Sequence, residues 1–337
     1  MTHELLEVGD GTLAYLQQGS WGWSNAGLVT SRGDALLVDT LYDLNLTRRM
    51  LDTMRRRVPA AENIETVVNT HANGDHCWGN QLVSGAEIVA SRRAAHEMRD
   101  LSPGLMKTLV RASRIALALG ERAQVVTSLL GRVGVGRAVS FGEAARFVVD
   151  KFGVFDFEGI ELTPPTTTFD GRLDLQVGDK DVQLIEVGPA HTQGDVIVHV
   201  PVDRVVFSGD ILFIESHPIM WDGPVENWIA ACDRILELDV DKVVPGHGPL
   251  TDKPGVQRVK DYWVYLRDEC RKRFDAGMTA AQAARDIAFD AFARWTESER
   301  IAVNVDTIFR GFAGDRSKRD PLAMLAQMAH FEMRRPR

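Results

Sequence analysis

The chain has little cysteine. Only Cys77, Cys232 and Cys270 occur in 337 residues, and no two of them form a Cys-x-x-Cys pair. An odd set of widely spaced cysteines argues against a disulfide scaffold and against a zinc site built from thiolates. Because free cysteine is among the residue types most often buried, we expect three reduced thiols in the interior, with Cys77 packed at the start of a helix.

Long apolar runs are also missing. Nowhere do about 18 apolar residues follow one another without a charge, which argues against a conventional membrane-spanning helix. His3, Glu4, Glu7 and Asp10 stand where a secretory signal needs a basic start and an apolar stretch. We therefore expect a cytoplasmic protein with no membrane partner.

Positive charge is in deficit. The 39 Lys and Arg residues face 47 Asp and Glu residues, which gives a formal net charge of −8 near neutral pH. Nucleic acids are bound mainly through an excess of Lys and Arg, so no nucleic-acid partner is expected. The composition is compatible with a homo-oligomer and does not indicate one.

The basic residues are concentrated between residues 91 and 151, where eleven Lys and Arg residues stand against five Asp and Glu residues. Lys107, Arg111 and Arg114 share one face of a predicted helix, and Arg122 continues that face. Such a face is either simply solvated or draws an anionic substrate, such as a carboxylate or an acyl-coenzyme A, toward a site.

The order of predicted elements indicates the fold class. Two β-rich blocks, each followed by helical material, predict an α/β sandwich in which helices cover two sheets. A helical insert is expected at about 92–155. We expect the sandwich to occupy residues 1–255 and a helical extension to occupy residues 256–337. Both additions are candidates for walls or lids over a site.

The sequence His71-x-x-x-Asp75-His76 follows a predicted strand and is the most informative motif. Imidazole and carboxylate groups are common ligands of divalent metals at neutral pH. Three further candidates, His191, Asp210 and His247, also lie in loops that follow predicted strands. Loops at the ends of strands can turn such side chains toward one point, so the sequence predicts a metal site.

Five stretches together resemble the signature motifs of the metallo-β-lactamase superfamily, in order and over about residues 10–250. They are Asp39 at a strand end, the loop of residues 71–76, the turn from His191 to Asp195, Ser208-Gly209-Asp210, and Pro245-Gly246-His247-Gly248. The resemblance implies an αββα sandwich of two mixed sheets with a metal centre at one edge. Most members of that superfamily are hydrolases.

The resemblance also implies the ligands. The first metal site would use His71, residue 73 and His191; the second would use Asp75, His76 and His247; Asp210 would bridge them. Residue 73 is Asn in this chain, where the superfamily has His. An amide oxygen is a weak, neutral ligand, so the first site should bind zinc less tightly.

Three metal contents follow from Asn73. The protein binds two metals with Asn73 or a water as a weak ligand, or it binds one metal in the intact second site. In the third case a single Fe²⁺ uses His71, His191 and Asp210, because two His and one carboxylate form the facial triad of non-haem iron oxygenases. The persulfide dioxygenases of the superfamily are similar in using that trio.

For a zinc hydrolase, the expected chemistry is attack by metal-activated water. A bound zinc lowers the pKa of water from about 16 to about 7 and polarises the carbonyl under attack. The resemblance implies that Asp75 orients the nucleophile or passes its proton to the leaving group. The expected substrate is a small molecule with an ester, lactone, thioester or amide bond, and it carries a negative charge if the basic insert has a role in binding. The alternatives are an iron oxygenase on the same fold and a non-catalytic metal- or ligand-binding protein.

Three residues are candidates for substrate binding. His217 follows the strand that leads to Asp210 and could face the substrate, although a histidine beside a proline is as easily structural. Trp21 and Trp23 lie in a glycine-containing loop. Either they form an aromatic flap over the pocket, or they pack within the hairpin.

Overall fold

The structure is a computed structural model that describes residues 3–333, except residues 20, 120–140, 316 and 318. Seven strands form the first sheet in chain order: β1 (His3–Gly9), β2 (Thr12–Gln17), β3 (Ala26–Ser31), β4 (Asp34–Val38), β5 (Thr66–Val68), β6 (Glu87–Ser91) and β7 (Thr167–Phe169). β1 to β4 pair antiparallel, whereas β4 to β7 pair parallel.

Five strands form the second sheet: β8 (Arg172–Val177), β9 (Lys180–Glu186), β10 (Val196–Val200), β11 (Val205–Phe207) and β12 (Lys242–Val244). They lie in the order β12-β11-β10-β9-β8, antiparallel except for the parallel pair of β11 and β12. Both sheets are mixed, which confirms the predicted sandwich of two mixed sheets.

The two sheets pack together through branched apolar side chains. Along β4, Leu36 and Val38 belong to the cluster between the sheets, while Leu37 belongs to the cluster under the helices. Successive residues of a strand point to opposite faces, so one apolar strand serves both layers. Gly27 on β3 approaches Phe207 on β11 closely and brings the sheets into contact there.

Helices cover the outer faces. They are α1 (Leu44–Arg57), α2 (Gly74–Cys77), α3 (Arg92–Glu97), α4 (Pro103–Leu119), α5 (Phe141–Phe152), α6 (Val225–Glu237), α7 (Lys253–Asp275), α8 (Ala280–Asp286), α9 (Ile301–Phe312) and α10 (Pro321–Met333). Among the described residues, none of these helices combines the length and the apolar character that a membrane crossing requires.

The C-terminal helices share a hydrophobic core with the sandwich. Trp263 on α7 lies 4.4 Å from Trp228 on α6, measured between ring centroids. The Asn304 amide on α9 donates to the Pro218 carbonyl at 2.8 Å and accepts from the Met220 N–H at 2.8 Å. The extension is therefore fixed to the loop after β11, and its first helix begins at Lys253, slightly before the predicted residue 256.

The contact between Gly27 and Phe207 gives a test of the packing between the sheets. A Cβ atom at Gly27 would lie 2.1 Å from Phe207 Cε1, and Phe207 is buried. Gly27→Ala is expected to overpack this contact and lower the free energy of unfolding by about 1–3 kcal/mol, measured by urea denaturation. Gly85→Ala is the matched control, because a Cβ there meets nothing within 4 Å. Equal losses in the two variants would contradict the expected close contact.

Candidate metal centre

The metal-ligand candidates all lie in segments that follow strands. His71 comes after β5, His191 after β9, Asp210 after β11 and His247 after β12, while Asp75 and His76 lie on the short helix α2. In a parallel pair of strands, the carboxyl ends meet at the same edge. β4 with β5 and β11 with β12 are such pairs, so the loops that follow them converge.

Small residues allow the backbone to approach the centre. A Cβ atom at Gly246 would lie 2.0 Å from Asp210 Oδ1, so only glycine fits between the β12 loop and this carboxylate. The amide of Asn25 fixes the same loop by donating to the carbonyls of Pro245 and Gly248, each at 2.9 Å. The Pro-Gly-His-Gly sequence is therefore needed for the shape of the loop as well as for its histidine.

Four histidines present the same nitrogen to the centre. In each ring Nδ1 lies near an oxygen outside the centre: Asp39 Oδ2 for His76 (2.8 Å), the Ile219 carbonyl for His191 (2.7 Å), Thr70 Oγ1 for His71 (3.0 Å) and the Trp23 carbonyl for His247 (3.1 Å). Outer hydrogen bonds of this kind fix the orientation of a metal-binding histidine. Nε2 of each ring is thus left for a ligand at the centre.

Asp210 lies among these four nitrogens. Its carboxylate oxygens are separated from Nε2 of the histidines by 3.1 Å (His76), 3.2 Å (His191), 3.3 Å (His247) and 3.7 Å (His71). Asp75 is close to one side of the arrangement, with its Oδ2 3.4 Å from His247 Nε2. One carboxylate therefore neighbours all four imidazoles, as a bridging ligand would.

The ligand atoms fall into two groups. His71, His191 and Asp210 form one group, and Asp75, His76 and His247 form the other; within each group the ligand atoms lie within 4.8 Å of one another. Asn73 directly precedes α2 and lines a cavity that also includes Asp75, His191 and Asp210, but its side chain does not cap that helix. The first group thus has one imidazole fewer than the superfamily pattern implies.

The buried polar atoms test whether a metal fits. Nε2 of His71, His76 and His191 and Oδ1 of Asp210 are buried and have no hydrogen-bond partner of good geometry among the residues that the structure describes. Buried polar groups nearly always have a partner, and an unpaired one costs about 1–3 kcal/mol. Four such atoms around one point, all of ligand type, fit a cation that coordinates them.

The first group is held in the protonation state that metals need. Burial, and then the charge on His76, keep the pKa of His71 well below its usual range. Burial lowers the pKa of His191 to about 4. Both rings are therefore neutral at pH 7, and a neutral imidazole is the form that coordinates a metal.

The second group lies in the stronger negative field of the carboxylates. Burial lowers the pKa of His76, but the carboxylates of Asp210 and Asp39 outweigh burial and raise that pKa well above its usual range. The pKa of His247 rises to about 9, because Asp210 and Asp75 outweigh burial in the same way. The carboxylates thus attract positive charge, and a divalent ion would supply it in place of protons.

Asp39 orients two ligands from outside the centre. Its Oδ1 accepts the backbone N–H of Thr70 and its Oδ2 accepts the hydroxyl of Thr70, both at 2.7 Å, in addition to the contact with His76. Thr70 in turn contacts His71. Asp39 belongs to a motif found in the sequence, whereas the role of Thr70 was missed; its position next to His71 is the only signal in the sequence.

A cavity of about 1230 Å³ opens above the centre. Its floor includes Asn73, Asp75, His191, Asp210 and His247. The insert adds apolar, basic and acidic wall residues, and the extension adds others, so residues of both segments line the cavity. These wall residues include Arg92, Arg93, Leu101, Met106 and Phe152 from the insert, and Arg300, Arg310, Arg319, Met324 and Leu325 from the extension.

The basic face of the insert does not point into this cavity. Lys107 and Arg111 on α4 both pair with Glu158, and Arg114 donates to the Gly153 carbonyl. None of these three lies among the cavity-lining residues of the described chain, and Arg122 lies outside the described residues. The Lys and Arg residues that do line the described cavity are the arginines of its wall.

The structure separates the three candidate substrate-binding residues. Trp21 lines the cavity, whereas neither Trp23 nor His217 is among the described residues that line it. Trp23 packs on Phe155, with ring centroids 5.1 Å apart. His217 is buried among Tyr262, Phe289 and Trp295 of the extension. His217 and Trp23 thus pack against other aromatic side chains, and a substrate role for Trp21, Trp23 or His217 stays a prediction.

Comparison with known proteins identifies one family for this chain. The family model of the metallo-β-lactamase superfamily matches residues 19–247. The acyl-coenzyme A thioesterase MBLAC2 of Bos taurus is 29% identical over 224 residues, 65% of this chain and 67% of that protein. MBLAC2 of Homo sapiens is 25% identical over 236 residues, 66% of this chain and 72% of that protein.

Solved structures agree on the fold. A metallo-β-lactamase from Pontibacter korlensis superposes with a TM-score of 0.53 at 16% identity, over 78% of this chain and 99% of that one. A double mutant of the sec-alkyl sulfatase PisA1 superposes with a TM-score of 0.62 at 14% identity, over 93% of this chain and 50% of that one. At these identities the likeness concerns the fold alone.

Asp39 gives a test of the geometry around the centre. Asp39→Asn replaces one carboxylate oxygen by an NH₂ group, which cannot accept from Thr70 or His76. We expect zinc affinity to fall about 10–100-fold, the usual effect of losing an outer hydrogen bond to a ligand, measured by competition with a chromophoric chelator. Asp179→Asn, which removes an equal charge from an exposed ion pair with Arg32, should leave the affinity unchanged. An unaltered affinity in Asp39→Asn would show that Asp39 does not orient the ligands.

Proposed function

The chain belongs to the metallo-β-lactamase superfamily, and from that premise we propose that it is a metal-dependent hydrolase whose substrate is a small thioester. The observation that carries the proposal is the pair of ligand groups that share Asp210 at the floor of a large cavity. Thioesters are favoured over other acyl compounds because two of the relatives are named acyl-coenzyme A thioesterases. Carboxylic esters, lactones and amides share the same reacting carbonyl and stay as alternatives.

The residues that hold the metal are assigned from the two groups. We propose that zinc is bound by His71 and His191 on one side and by Asp75, His76 and His247 on the other, with Asp210 between them and Asn73 as a weak or outer ligand. When bound, a divalent metal supplies Lewis-acid polarisation of the carbonyl and lowers the pKa of water. Whether one or two ions bind depends on the affinity that Asn73 leaves to the first group.

Asp75 is the group we propose for proton transfer. It is less buried than Asp210, with a side chain 13% exposed against 3%, and it lines the cavity floor. Burial opposes its charge, but a hydrogen bond from His247 and the charge on His76 lower the pKa of Asp75. An ionised carboxylate that touches the cavity can accept a proton from the nucleophile and return it to the departing thiolate.

The cavity wall suits an amphipathic thioester. Apolar side chains such as Met106, Phe152 and Leu325 are buried or nearly so, and arginines stand among them. Sites for small molecules are mostly apolar, with a few polar groups that fix orientation. We also propose a cytoplasmic location, because all three cysteines are free and buried, as suits a reducing compartment.

A second candidate has its own observation. The ligand atoms of His71, His191 and Asp210 lie together, and two His with one carboxylate is the triad of non-haem iron oxygenases. In this alternative, Asn73 would be a residue that leaves a coordination position open instead of a weakened zinc ligand. Metal content decides between the two candidates.

The metal of the purified protein tests the function. We expect zinc at one to two ions per chain in protein purified without added metal, measured by elemental analysis. Thioester hydrolysis, followed by release of free thiol, should fall at least about 100-fold when a chelator removes the metal, and zinc should restore it. His191→Ala should lose metal and activity together, whereas His3→Gln, on the exposed edge strand β1, should keep both. One iron per chain without hydrolysis would favour the oxygenase, and hydrolysis that survives complete metal removal would refute a metallo-hydrolase.

Asn73→His tests the role of the altered ligand position. A third imidazole in the first group should raise the affinity for the weaker-bound zinc ion by about tenfold or more, since imidazole is a far better zinc ligand than an amide oxygen. Chelator competition gives the affinity, and elemental analysis gives the number of ions. Asn45→His, the same change at an exposed position of α1, is the control. If Asn73→His leaves affinity and stoichiometry as they were, residue 73 does not limit metal binding.

A further inference from the structure

Arg300 is a buried cation in the wall of the cavity above the metal centre. It stands at the start of α9, outside the residues 19–247 that match the superfamily. Only 3% of its surface is exposed, and its guanidinium carbon lies 4.4 Å from the ring centroid of Trp21 and 5.0 Å from that of Phe213. Both rings also line the cavity, so the guanidinium lies against two aromatic side chains of its wall.

The hydrogen bonds of Arg300 are incomplete. Its Nη1 donates to the His217 carbonyl at 2.9 Å, while its buried Nε–H has no acceptor within the described part of the chain. Arginine binds carboxylates and phosphates through two neighbouring N–H groups held in one plane. The unused Nε edge is therefore free to take part in such a pair.

The carboxylates near Arg300 do not occupy that edge. Glu297 lies 3.8 Å from Nη1, which is beyond hydrogen-bonding distance. Nη1 is also the nitrogen that donates to the His217 carbonyl, so Glu297 does not approach the Nε edge. Glu299 is engaged elsewhere: its Oε1 accepts from Trp21 Nε1 at 2.8 Å and lies 3.0 Å from Lys151 Nζ. These carboxylates balance the charge of the neighbourhood without filling the hydrogen-bonding capacity of Arg300.

Other arginines of the cavity differ in this respect. Arg92 has a nitrogen 3.0 Å from Asp170, Arg310 has one 2.8 Å from Asp315, and Arg319 has one 2.8 Å from Asp306. Each of these three guanidinium groups thus has a carboxylate partner at hydrogen-bonding distance. Arg93 also lines the cavity and lies 3.8 Å from Glu186, but its side chain is 52% exposed, so water can reach it. Arg300 is buried, yet its ion pair with Glu297 is longer than a hydrogen bond. Burying a cation is costly unless it gains partners.

The position of Arg300 relative to the metal centre indicates which part of a substrate it meets. The Phe213 ring, which contacts the Arg300 guanidinium, stacks on the ring of His247. The two ring centroids are 4.9 Å apart, and the angle between the planes is 6°. One aromatic ring thus separates Arg300 from a metal-ligand candidate. An anion bound by Arg300 would therefore lie close to the metal-ligand candidates, a distance that suits a group on a short acyl chain better than the far end of a long leaving group.

We propose that Arg300 binds a carboxylate carried by the acyl part of the substrate, and that the substrate is a thioester of a short dicarboxylic acid. This inference rests on the proposed hydrolase function for its reaction, and on the cavity alone for its binding step. Contacts with Trp21, Phe213 and the His217 carbonyl hold the guanidinium in place before the ligand arrives, which reduces the entropy lost on binding.

Two thioesters of N-acetylcysteamine test the proposal on the wild-type, metal-loaded protein. The glutaryl and pentanoyl thioesters have equal numbers of carbons and the same neutral leaving group, and differ in the terminal carboxylate. We expect kcat/KM for the glutaryl thioester to exceed that for the pentanoyl thioester at least about tenfold. Equal values, or a preference for the neutral thioester, would overturn the inference without the need for any variant.

Substitution of Arg300 then locates the discrimination. Arg300→Met removes the charge at similar length and should lower kcat/KM for the glutaryl thioester about 30-fold, while the pentanoyl thioester changes less than about threefold. Arg300→Lys keeps the charge without the planar pair of donors and should fall between Arg300→Met and wild type. Arg111→Met removes an equal charge at a position outside the cavity and is the matched control. A parallel loss on both thioesters in Arg300→Met would contradict carboxylate recognition by Arg300.

Binding of free glutarate separates this inference from the proposed function. Calorimetry should show that wild type binds glutarate, that Arg111→Met binds it equally, and that Arg300→Met binds it at least tenfold more weakly. Thermal melting of each variant verifies that it is folded. If neither thioester is hydrolysed while glutarate binding still depends on Arg300, the hydrolase proposal fails and the carboxylate site stands. Glutarate binding that is absent in wild type or unaffected by Arg300→Met would overturn the carboxylate site.

Discussion

The burial of the Asp210 carboxylate is the constraint on which the rest of the site depends. A buried anion is costly unless positive charge or hydrogen bonds compensate it. Four imidazoles surround Asp210 at 3.1–3.7 Å and respond in two ways. His71 and His191 have a lowered pKa and stay neutral, whereas His76 and His247 have a raised pKa and carry the balancing charge. A divalent cation would supply the same positive charge beside Asp210, and all four rings would then be neutral ligands.

This arrangement needs backbone and side chains that are held from outside. Gly246 leaves room for Asp210, and Asn25 ties down the loop that contains it. Asp39, which has a left-handed backbone with φ of 63°, connects Thr70 and His76. A non-glycine residue in that region carries backbone strain, which persists only where surrounding contacts over-determine it. The carboxylate of Asp39 supplies such contacts, so the geometry of the ligands is set by residues that would not touch a metal.

The superfamily region and the added segments contribute differently. The residues proposed as ligands all lie within residues 19–247, the part of the chain that matches the superfamily. Walls of the cavity come from the insert and from the C-terminal extension, which is fixed to the sandwich through Asn304 and through packing of Trp263. Substrate selectivity is thus expected to depend on the added segments, and Arg300 is the residue of the extension for which the contacts make the strongest case.

The sequence by itself determined the fold class and the residues that meet at the centre. Short β-rich runs separated by turn residues define the strands, and polar ligand types follow several of them. The parallel pairs β4–β5 and β11–β12 end at the same edge, which brings the loops of His71, Asp210 and His247 together. The sequence also marked Asn73 as a departure from the superfamily pattern. It did not reveal that Thr70 joins Asp39 to His71, that His217 is enclosed by aromatic rings of the extension, or that Lys107 and Arg111 are paired with Glu158. Only the tertiary structure decided these points, because each depends on contacts between side chains of different elements. The periodicity of a helix or strand indicates which of its faces is buried, but it does not indicate which residues cover that face.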